Sequence, residues 1–441
     1  MDRLTKLQRS ARSGATPRGG SRAAVIACAA VLGALGAVAT GCFDTVSLGS
    51  GEGGAGGGGK EVRPWKTRFQ APKPPDEEVT VGGNTCLPGL TTDLDHDGFT
   101  ASEGDCNDCD PDMGPSAVEM PTVPGETAKD EDCDGAIDEG GDECDAGLSV
   151  NDPNALSAAR AVDLCAAADG GRWGVMKAVW VMPDGSTPPM GNPFALGHGL
   201  VDRFGPNVAV RHGHRMLALS SGTARQPTDP DYEDPRGFDK LITSKPIEGF
   251  PPPSAACPDV GMGDPHDGVA LELVVRAPQN AEAVAFDFNF YTYEVPERAC
   301  SPFGDAFAAL LSTSTSEPGL ANIAFDGGGN AVGVNSVLFE ACSCAGGAPC
   351  WMGGQQHTCS LGAAPLAGTG YGADLSKQGD HGATGWLTTA APVERGGTLT
   401  LRLAIQDAGD GQQDSTVLVD HFRWHRMADQ IPRAHLVREE E

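Results

Sequence analysis

Residues 93–145 read DLDHDGFTASEGDCNDCDPDMGPSAVEMPTVPGETAKDEDCDGAIDEGGDECD, and their acidity is the first constraint on how this chain folds. The stretch holds nineteen Asp and Glu residues against one basic residue, Lys129. Such a composition cannot supply an apolar core, and repulsion between so many carboxylates disfavours a compact state. A folded form therefore needs positive charge bound inside it.

The spacing of the first acids indicates a cation with oxygen ligands. Acids alternate over residues 93–97 and Gly98 follows, which is the opening of a calcium loop with its sharp turn at position six. The backbone carbonyl of Phe99 then stands at position seven. The match to an EF-hand is partial, because position twelve is Gly104, acid returns only at Asp105, and Gly and Pro interrupt the flanks.

Four segments follow one another in this stretch in a recognisable order. They are D-x-D-x-D-G-F at 93–99, G-D-C-N-D-x-D-P at 104–111, Glu119, and D-x-D-C-D-G-x-x-D-E at 130–139. Their order and spacing resemble the MopE-type metal-binding motif of bacterial surface proteins. The alternative is a solvated acidic linker, but a linker has no physical reason to keep ligand spacing.

The MopE-type resemblance implies Ca²⁺ as the bound ion and a disulfide between Cys106 and Cys133. The sequence departs from the motif at the extra Cys109 and at 115–117, where P-S-A replaces P-G-A. Capture of copper is an alternative that the oxygen-rich ligands oppose. The expected ligands, within a module at 86–145, are Asp93, Asp95, Asp97, Phe99, Asp105, Asp108, Asp110, Asp130, Asp132, Asp134, Asp138 and Glu139.

Cysteine usage fits an oxidising compartment. Apart from Cys28 and Cys42 near the N-terminus, twelve cysteines remain, consistent with six disulfides whose pairing the spacing leaves open. A redox CxxC at 106–109 is disfavoured, because the surrounding carboxylates oppose a reactive thiolate. A zinc site is the other alternative, with Cys106, Cys109, Cys133 and Cys144 as ligands. Structural staples are expected at Cys342, Cys344, Cys350 and Cys359.

Residues 1–41 have the organisation of an export signal, with a basic segment followed by an apolar one at 23–38. The sequence Ala-Thr-Gly-Cys at 39–42 resembles a bacterial lipobox, which implies cleavage before Cys42 and a lipid on its sulfur. Phe43 in place of Asp favours the outer membrane. The alternative is an ordinary secretory signal. Residues 42–85 are rich in Gly and Pro and predict a tether between the anchor and the folded part.

The length and charge of the chain limit its domain number and its partners. A chain of 441 residues predicts two folded units with linkers. The formal net charge of −29 argues against nucleic acid or an anionic membrane face as a partner. Contact with a membrane is expected only through the N-terminal lipid.

From residue 146 the composition becomes that of a globular domain. Residues 151–168 predict a helix that is capped by Asn151 or Asp152. Beyond it, we expect a mainly β fold over 146–430, an antiparallel sandwich or jelly roll, followed by a charged tail at 431–441. Strands are predicted from apolar alternation at 173–181, 216–220, 270–276, 283–291, 398–405 and 416–424.

Several motifs over residues 150–430 resemble the choice-of-anchor L domain in order. They are L-A-L-S-S-G at 217–222, the strand pair at 271–291, Y-E-V-P-E at 293–297, F-G-D-A-F at 303–307, N-I-A at 322–324, and the closing strands at 401–417. Tyr293, Val295 and Gly304 depart from the family pattern. The resemblance implies a β-sandwich on a bacterial surface protein and no enzymatic activity.

The domain contains little that indicates catalysis, because nucleophile-elbow, zinc-protease and phosphate-loop motifs are absent from the sequence. His212 and His214 predict two imidazoles on one strand face without a nearby acid, and an exposed loop pair is favoured. A carboxylate cluster is the stronger candidate for structural Ca²⁺, for turn capping, or for a glycosidic acid and base. Its members are Glu294, Glu297, Asp305, Asp407, Asp410 and Asp414.

The sequence therefore predicts a lipid-anchored surface protein with a calcium-stabilised spacer and a displayed sandwich. Its expected role is non-enzymatic, in adhesion or in contact with the envelope or matrix, with an unidentified surface partner. The alternative is a carbohydrate-active enzyme or other hydrolase that uses the sandwich carboxylates.

Overall fold

Segments with β-type alternation are strands in the computed structural model. In chain order the strands are β1 (Gly174–Val181), β2 (His198–Val201), β3 (Met216–Ser220), β4 (Pro265–Arg276), β5 (Ala283–Thr292), β6 (Ala306–Thr313), β7 (Ala321–Asn322), β8 (Cys350–Met352), β9 (Gln355–His357), β10 (Gly382–Ala383), β11 (Leu387–Pro392), β12 (Thr398–Ala408), β13 (Ser415–His425) and β14 (His435–Leu436). The six predicted strands correspond to β1, β3, β4, β5, β12 and β13. The prediction of a mainly β, antiparallel fold is confirmed.

The structure describes residues 91–122, 125–139, 143–314, 319–325, 329–336, 338–342, 350–372, 381–426 and 435–436. All of them belong to one compact unit. The predicted signal, lipidated Cys42 and tether lie outside the described residues. Within the described ranges, no helix has the length and apolarity needed to cross a membrane.

The long strands form two sheets. Sheet A has the order β1-β4-β12-β6-β7, and sheet B has the order β14-β11-β5-β13-β3-β2, with β10 also paired to β5. The paired strands are antiparallel in both sheets. β8 and β9 form a separate hairpin.

The two sheets share one apolar core, which makes the fold a sandwich. Buried members include Leu273 of β4, Leu401 of β12 and Val419 of β13. The rings of Phe288 in sheet B and Phe307 in sheet A are 5.3 Å apart between centroids, so the sheets are in direct contact. Burial of these side chains away from water is the main stabilising contribution.

Loops cover the outer faces of both sheets. Phe204 packs on Tyr291 of β5 with ring centroids 5.0 Å apart, outside sheet B. Ile247 and Phe250 belong to a third cluster together with Ala404 of sheet A. Every position of β5 is consequently buried.

This coverage explains why the sequence did not predict β6. The sequence of β6 is AFAALLST, a continuous apolar run in which six consecutive residues are buried. When both faces of a strand are covered, both can be apolar, and the two-residue period is then lost. β5 is also covered on both faces but keeps the period, because the buried polar residues Asp287 and Asn289 alternate with its phenylalanines.

The predicted helix at 151–168 was wrong in length and in its cap. The helix is α1 (Ala155–Arg160), and the side chain of Asn154 caps it, in place of Asn151 or Asp152. A second short helix, α2 (Asn192–Leu196), was not predicted.

Tertiary contacts end α1 early. Asp163 has a φ of 72°, a left-handed conformation that α-helices do not contain. Cys165 is bonded to Cys144, and the carbonyl of Ala166 accepts a hydrogen bond of 2.8 Å from the backbone of Val175 at the start of β1. The second half of the predicted helix therefore lies along the edge of sheet A.

Four disulfides join described residues: Cys106–Cys133, Cys144–Cys165, Cys257–Cys300 and Cys342–Cys359. Cys109 and Cys350 are also disulfide-bonded. The first pair is the one that the MopE-type resemblance implied. Disulfide bonding of Cys106, Cys109, Cys133 and Cys144 leaves no thiolate among them for the zinc or redox alternatives.

The acidic stretch lies against the sandwich and does not stand apart as a spacer. Asn280, in the turn between β4 and β5, is 1% exposed and makes two hydrogen bonds with the backbone of Val118, of 2.8 and 3.1 Å. Arg395, in the turn between β11 and β12, pairs with Asp112 of the stretch. The apolar surface that the stretch lacks is thus replaced by polar contacts with two sandwich turns.

We expect Phe288→Ala to lower the free energy of unfolding by about 3–5 kcal/mol, because it opens a cavity at the contact between the sheets. Urea unfolding followed by tryptophan fluorescence measures the loss. Met190→Ala is the control, since Met190 is 103% exposed and its truncation should change stability little. Equal effects of the two changes would contradict the assigned core.

Candidate metal centre

The first acidic loop, residues 93–99, is held by hydrogen bonds from its own backbone. Asp93 accepts one from the N–H of Gly98 (3.1 Å), and Asp97 accepts one from the N–H of Phe99 (2.7 Å). Gly98 has a φ of 98°, which glycine adopts without steric cost. The orientation of two carboxylates is therefore set by the turn itself.

The second acidic loop, residues 130–136, repeats this geometry. Asp130 accepts a hydrogen bond from the N–H of Gly135 (3.1 Å), and Asp134 accepts one from the N–H of Ala136 (2.7 Å). The φ of Gly135 is again 98°. The two loops have the same fold, although their sequences share only the acids and the glycine.

Carboxylate oxygens converge at each loop. In four groups of three acids, one oxygen from each acid lies within 4.8 Å of the oxygens from the other two. That spacing suits oxygens about 2.3–2.6 Å from a shared Ca²⁺ ion. Asp95 belongs to both groups of the first loop and Asp132 to both groups of the second. The groups are Asp93/Asp95/Asp108, Asp95/Asp97/Asp105, Asp130/Asp132/Asp134 and Glu119/Asp132/Glu139.

Three of the twelve expected ligands, two carboxylates and Phe99, are not members of these groups. Asp110 forms an ion pair with Lys129 (2.8 Å), and Asp138 accepts a hydrogen bond from the hydroxyl of Thr122 (2.6 Å). Phe99, expected to ligate through its carbonyl, donates its N–H to Asp97, and its side chain is buried. The other nine expected ligands are members of the groups.

Glu119 is a group member that the expected ligand set lacked. Its Oε1 accepts hydrogen bonds from the N–H groups of Glu131 (2.7 Å) and Asp132 (3.2 Å), which ties it to the second loop. Glu119 is part of the MopE-type motif, so that resemblance carried the signal. Because Glu119 is distant in sequence from residues 130–139, ligand spacing alone did not indicate that it belongs to the second loop.

Burial makes negative charge costly at the shared acids. Desolvation, followed by repulsion from neighbouring carboxylates, raises the pKa of Asp95 and of Asp132 to about 6. Asp95 and Asp105 are each 5% exposed, and no donor among the described residues contacts Oδ2 of either one. These buried oxygens are of the type that coordinates Ca²⁺, and a cation would remove the cost of burying them.

A second carboxylate cluster lies inside the sandwich, where four of the six predicted members meet. Glu294, Asp305, Asp407 and Asp414 are at most 1% exposed. Glu294 accepts a hydrogen bond from the N–H of Asp305 (2.9 Å), and Asp305 accepts one from the hydroxyl of Ser221 (3.2 Å). The other two predicted members lie outside the cluster: Glu297 is exposed, and Asp410 pairs with Arg298 at 3.3 Å.

The interior cluster differs from the loops in its electrostatics. Burial, with added repulsion between the carboxylates, raises the pKa values of Glu294 and Asp407 to about 9. Lys240 lies nearby and is itself buried, and desolvation lowers its pKa to about 8. Among the described residues, this cluster contains no set of three acids whose oxygens all lie within 4.8 Å of one another. In this geometry, burial and mutual repulsion favour the protonated form of these carboxyl groups.

This burial bears on the alternative that the cluster supplies a glycosidic acid and base. An acid and base for glycoside hydrolysis must flank a sugar in an accessible cleft. Glu294 is 0% exposed and Asp414 is 1% exposed, so neither carboxylate meets solvent.

The histidine pair does not form a shared site. His212 and His214 lie in a bend and not on a strand face, in agreement with the favoured loop pair, although only His214 is exposed. Each ring has its own acid, His212 with Asp163 (2.8 Å) and His214 with Glu143 (3.1 Å), so the expectation of no nearby acid was wrong. Both acids are distant in sequence, which is why spacing could not reveal them.

Residues 270–422 match the Choice-of-anchor L domain family. The matched range begins in β4 and ends in β13, and it contains all four acids of the interior cluster. Choice-of-anchor domains are typical of extracellular, surface-anchored proteins. The chain has no significant match among curated proteins or among solved structures.

We expect Asp407→Asn to flatten the dependence of stability on pH. A carboxyl whose pKa is raised in the folded state contributes stability at low pH that is lost as the pH rises from about 4 towards about 9. The amide cannot ionise, so the variant should not show this loss. Between pH 5 and pH 8, the free energy of unfolding of the native protein should therefore fall by on the order of 2 kcal/mol more than that of the variant. Urea unfolding in a calcium chelator measures the slope.

Glu297→Gln provides the matched control for this test, because Glu297 is an exposed acid of the same domain. Its slope should equal that of the native protein. If Asp407→Asn gave that same slope, the interior carboxyl would not be protonated in the folded state.

Proposed function

We propose that this chain is a lipid-anchored surface protein whose acidic stretch binds Ca²⁺ and fixes the position of a non-catalytic β-sandwich. The Choice-of-anchor L match over 270–422 supports surface anchoring. The lipobox-like sequence ending in Cys42 supports lipid as the anchor and the outer membrane as the destination.

One observation carries the calcium proposal. The carboxylates of Asp95 and Asp105 are buried, each keeps an oxygen without a donor among the described residues, and those residues converge with Asp97. Hard oxygen ligands of this kind suit Ca²⁺ better than a transition metal. The repeated loop around Asp132 supports a second ion of the same type.

The ion would act as the structural centre of a segment without an apolar core. Binding neutralises the converging carboxylates, and the Cys106–Cys133 disulfide restricts the unfolded chain between the loops. Extracellular calcium modules bind at about 10⁻⁴ to 10⁻³ M, so the external calcium concentration would control how rigid the segment is.

Because it contacts the sandwich, the acidic stretch would brace that domain and would not act as a free spacer. Arg426, directly after β13, pairs with Glu131 of the second loop region, and Arg395 pairs with both Asp112 and Glu282. A folded acidic stretch would thus hold one end of the sandwich in a fixed orientation relative to the tether that precedes it.

The sandwich would present its loops to a partner in adhesion or in the envelope or matrix. The β8–β9 hairpin carries Trp351, which is 66% exposed, whereas most large apolar side chains in the described residues are buried. Exposed tryptophan is enriched at contact sites, where a large side chain meets a partner at low entropic cost. Hydrolysis by Glu294 and Asp414 is disfavoured, because neither side chain is accessible.

We expect Ca²⁺ to bind saturably to the chelator-treated protein and to raise its melting temperature. Asp95→Asn should weaken binding at the first loop by at least about tenfold, since it removes a charged ligand shared by two groups. Isothermal titration calorimetry with thermal melts measures both effects. Glu126→Gln is the control, because Glu126 is exposed and belongs to none of the groups.

The opposite outcome is equally clear. If Ca²⁺ bound weakly and left the melting temperature unchanged, the acidic stretch would be a charged linker and the calcium proposal would fall. Turnover of a glycan that Glu294→Gln abolished without loss of fold would favour the hydrolase.

A further inference from the structure

The sandwich contributes a side chain to the first acidic loop. Gln279 lies in the turn between β4 and β5, and its side chain reaches the acidic stretch. The amide Nε2 donates a hydrogen bond of 2.5 Å to Oδ2 of Asp97, a member of the Asp95/Asp97/Asp105 group. The two residues are 182 positions apart, so no local sequence pattern indicates this contact.

Among the described residues, the hydrogen bond to Asp97 is the one that the side-chain amide of Gln279 makes. The residue is 7% exposed, and its Oε1 has no donor among the described residues. An amide that is buried without a hydrogen-bond partner destabilises the fold, because it has lost its hydrogen bonds to water. Moving Asp97 away would therefore leave the side-chain amide of Gln279 without a hydrogen bond among the described residues, and withdrawing Gln279 would remove a donor that orients the Asp97 carboxylate.

Gly114 provides the space for this contact. A Cβ atom at this position would lie 2.4 Å from Oδ2 of Asp97 and 2.8 Å from Nε2 of Gln279. Real Cβ atoms do not approach so closely, so a larger residue would separate the two side chains. The acidic stretch is thus shaped to admit a sandwich residue beside its first loop.

The chain after Gly114 is bound to the same turn. The backbone N–H of Gln279 donates to the carbonyl of Ser116 (3.0 Å), and Asn280 both donates to and accepts from the backbone of Val118. Residues 114–118 join the first loop region to Glu119 of the second. One sandwich turn therefore holds the segment that connects the two acidic loops.

We infer that Gln279 positions the ligand Asp97, so that Ca²⁺ binding at the first loop and docking of the acidic stretch on the sandwich form one coupled equilibrium. This inference rests on the proposed calcium binding. Because linkage is reciprocal, docking strengthens calcium binding by the factor by which calcium strengthens docking. External calcium then controls the attachment of the stretch to the sandwich as well as its internal order.

The first test is calorimetric titration of Ca²⁺ into the native protein, Gln279→Ala and Gln356→Ala. Loss of a side chain that orients a metal ligand typically weakens metal binding about 10- to 100-fold, and we expect at least about tenfold for Gln279→Ala. Gln356 is an exposed glutamine on β9, away from the stretch, so its variant should bind as the native protein does.

The second test follows docking directly and needs no variant. The N–H of Gln279 donates to Ser116 across the interface, so its hydrogen exchange reports contact between the sandwich turn and the acidic stretch. Saturating Ca²⁺ should slow this exchange in the native protein, because calcium would stabilise the docked state.

The outcomes separate this inference from the calcium proposal. If the native protein binds Ca²⁺ but Gln279→Ala binds equally well, the coupling is overturned and the calcium site stands. Exchange at Gln279 that calcium leaves unchanged also overturns it, even if the variant fails to fold. If the native protein binds no Ca²⁺, both proposals fall together.

Discussion

Buried carboxylates without matching basic groups are the constraint on which this structure depends. Two groups of them stand out among the described residues, the acidic loops around Asp95 and Asp132 and the cluster inside the sandwich. A buried carboxylate is tolerated only when a cation, a proton or strong hydrogen bonds compensate its lost hydration. In the loops the oxygens converge within 4.8 Å, as an ion requires. Inside the sandwich they do not, and burial raises the pKa values of Glu294 and Asp407 to about 9.

The two parts of the chain are complementary in how they are stabilised. The sandwich has apolar cores between and outside its sheets, so strands such as β3 and β5 are buried on both faces. The acidic stretch has almost no core, and its order comes from turns, a disulfide and polar contacts with sandwich turns. Hydrogen bonds from Gln279 and Asn280 and an ion pair from Arg395 hold the stretch on the sandwich in place of apolar contacts. Such polar contacts are directional, so they fix one orientation of the stretch.

This arrangement gives a physical meaning to calcium at a cell surface. In the proposed function the ion neutralises the loops and, through Asp97 and Gln279, secures the stretch to the sandwich. The tether would then lead into a braced domain, and the exposed Trp351 hairpin would face outward with the other loops as contact surface. At low calcium the same charges would repel one another, and the brace would loosen without unfolding the sandwich core.

The sequence by itself determined the β class, six of the strands and the acidic loops, because alternation and ligand spacing are local patterns. It also pointed through the MopE-type motif to Cys106 and Cys133, the pair that is bonded. Only the tertiary structure decided what depends on neighbours distant in the chain. It buried Glu294 and Asp414, ended the helix at Arg160, and brought Gln279 to Asp97 across 182 positions. Local patterns record hydration and spacing, whereas burial and pairing depend on which surfaces the folded chain brings together.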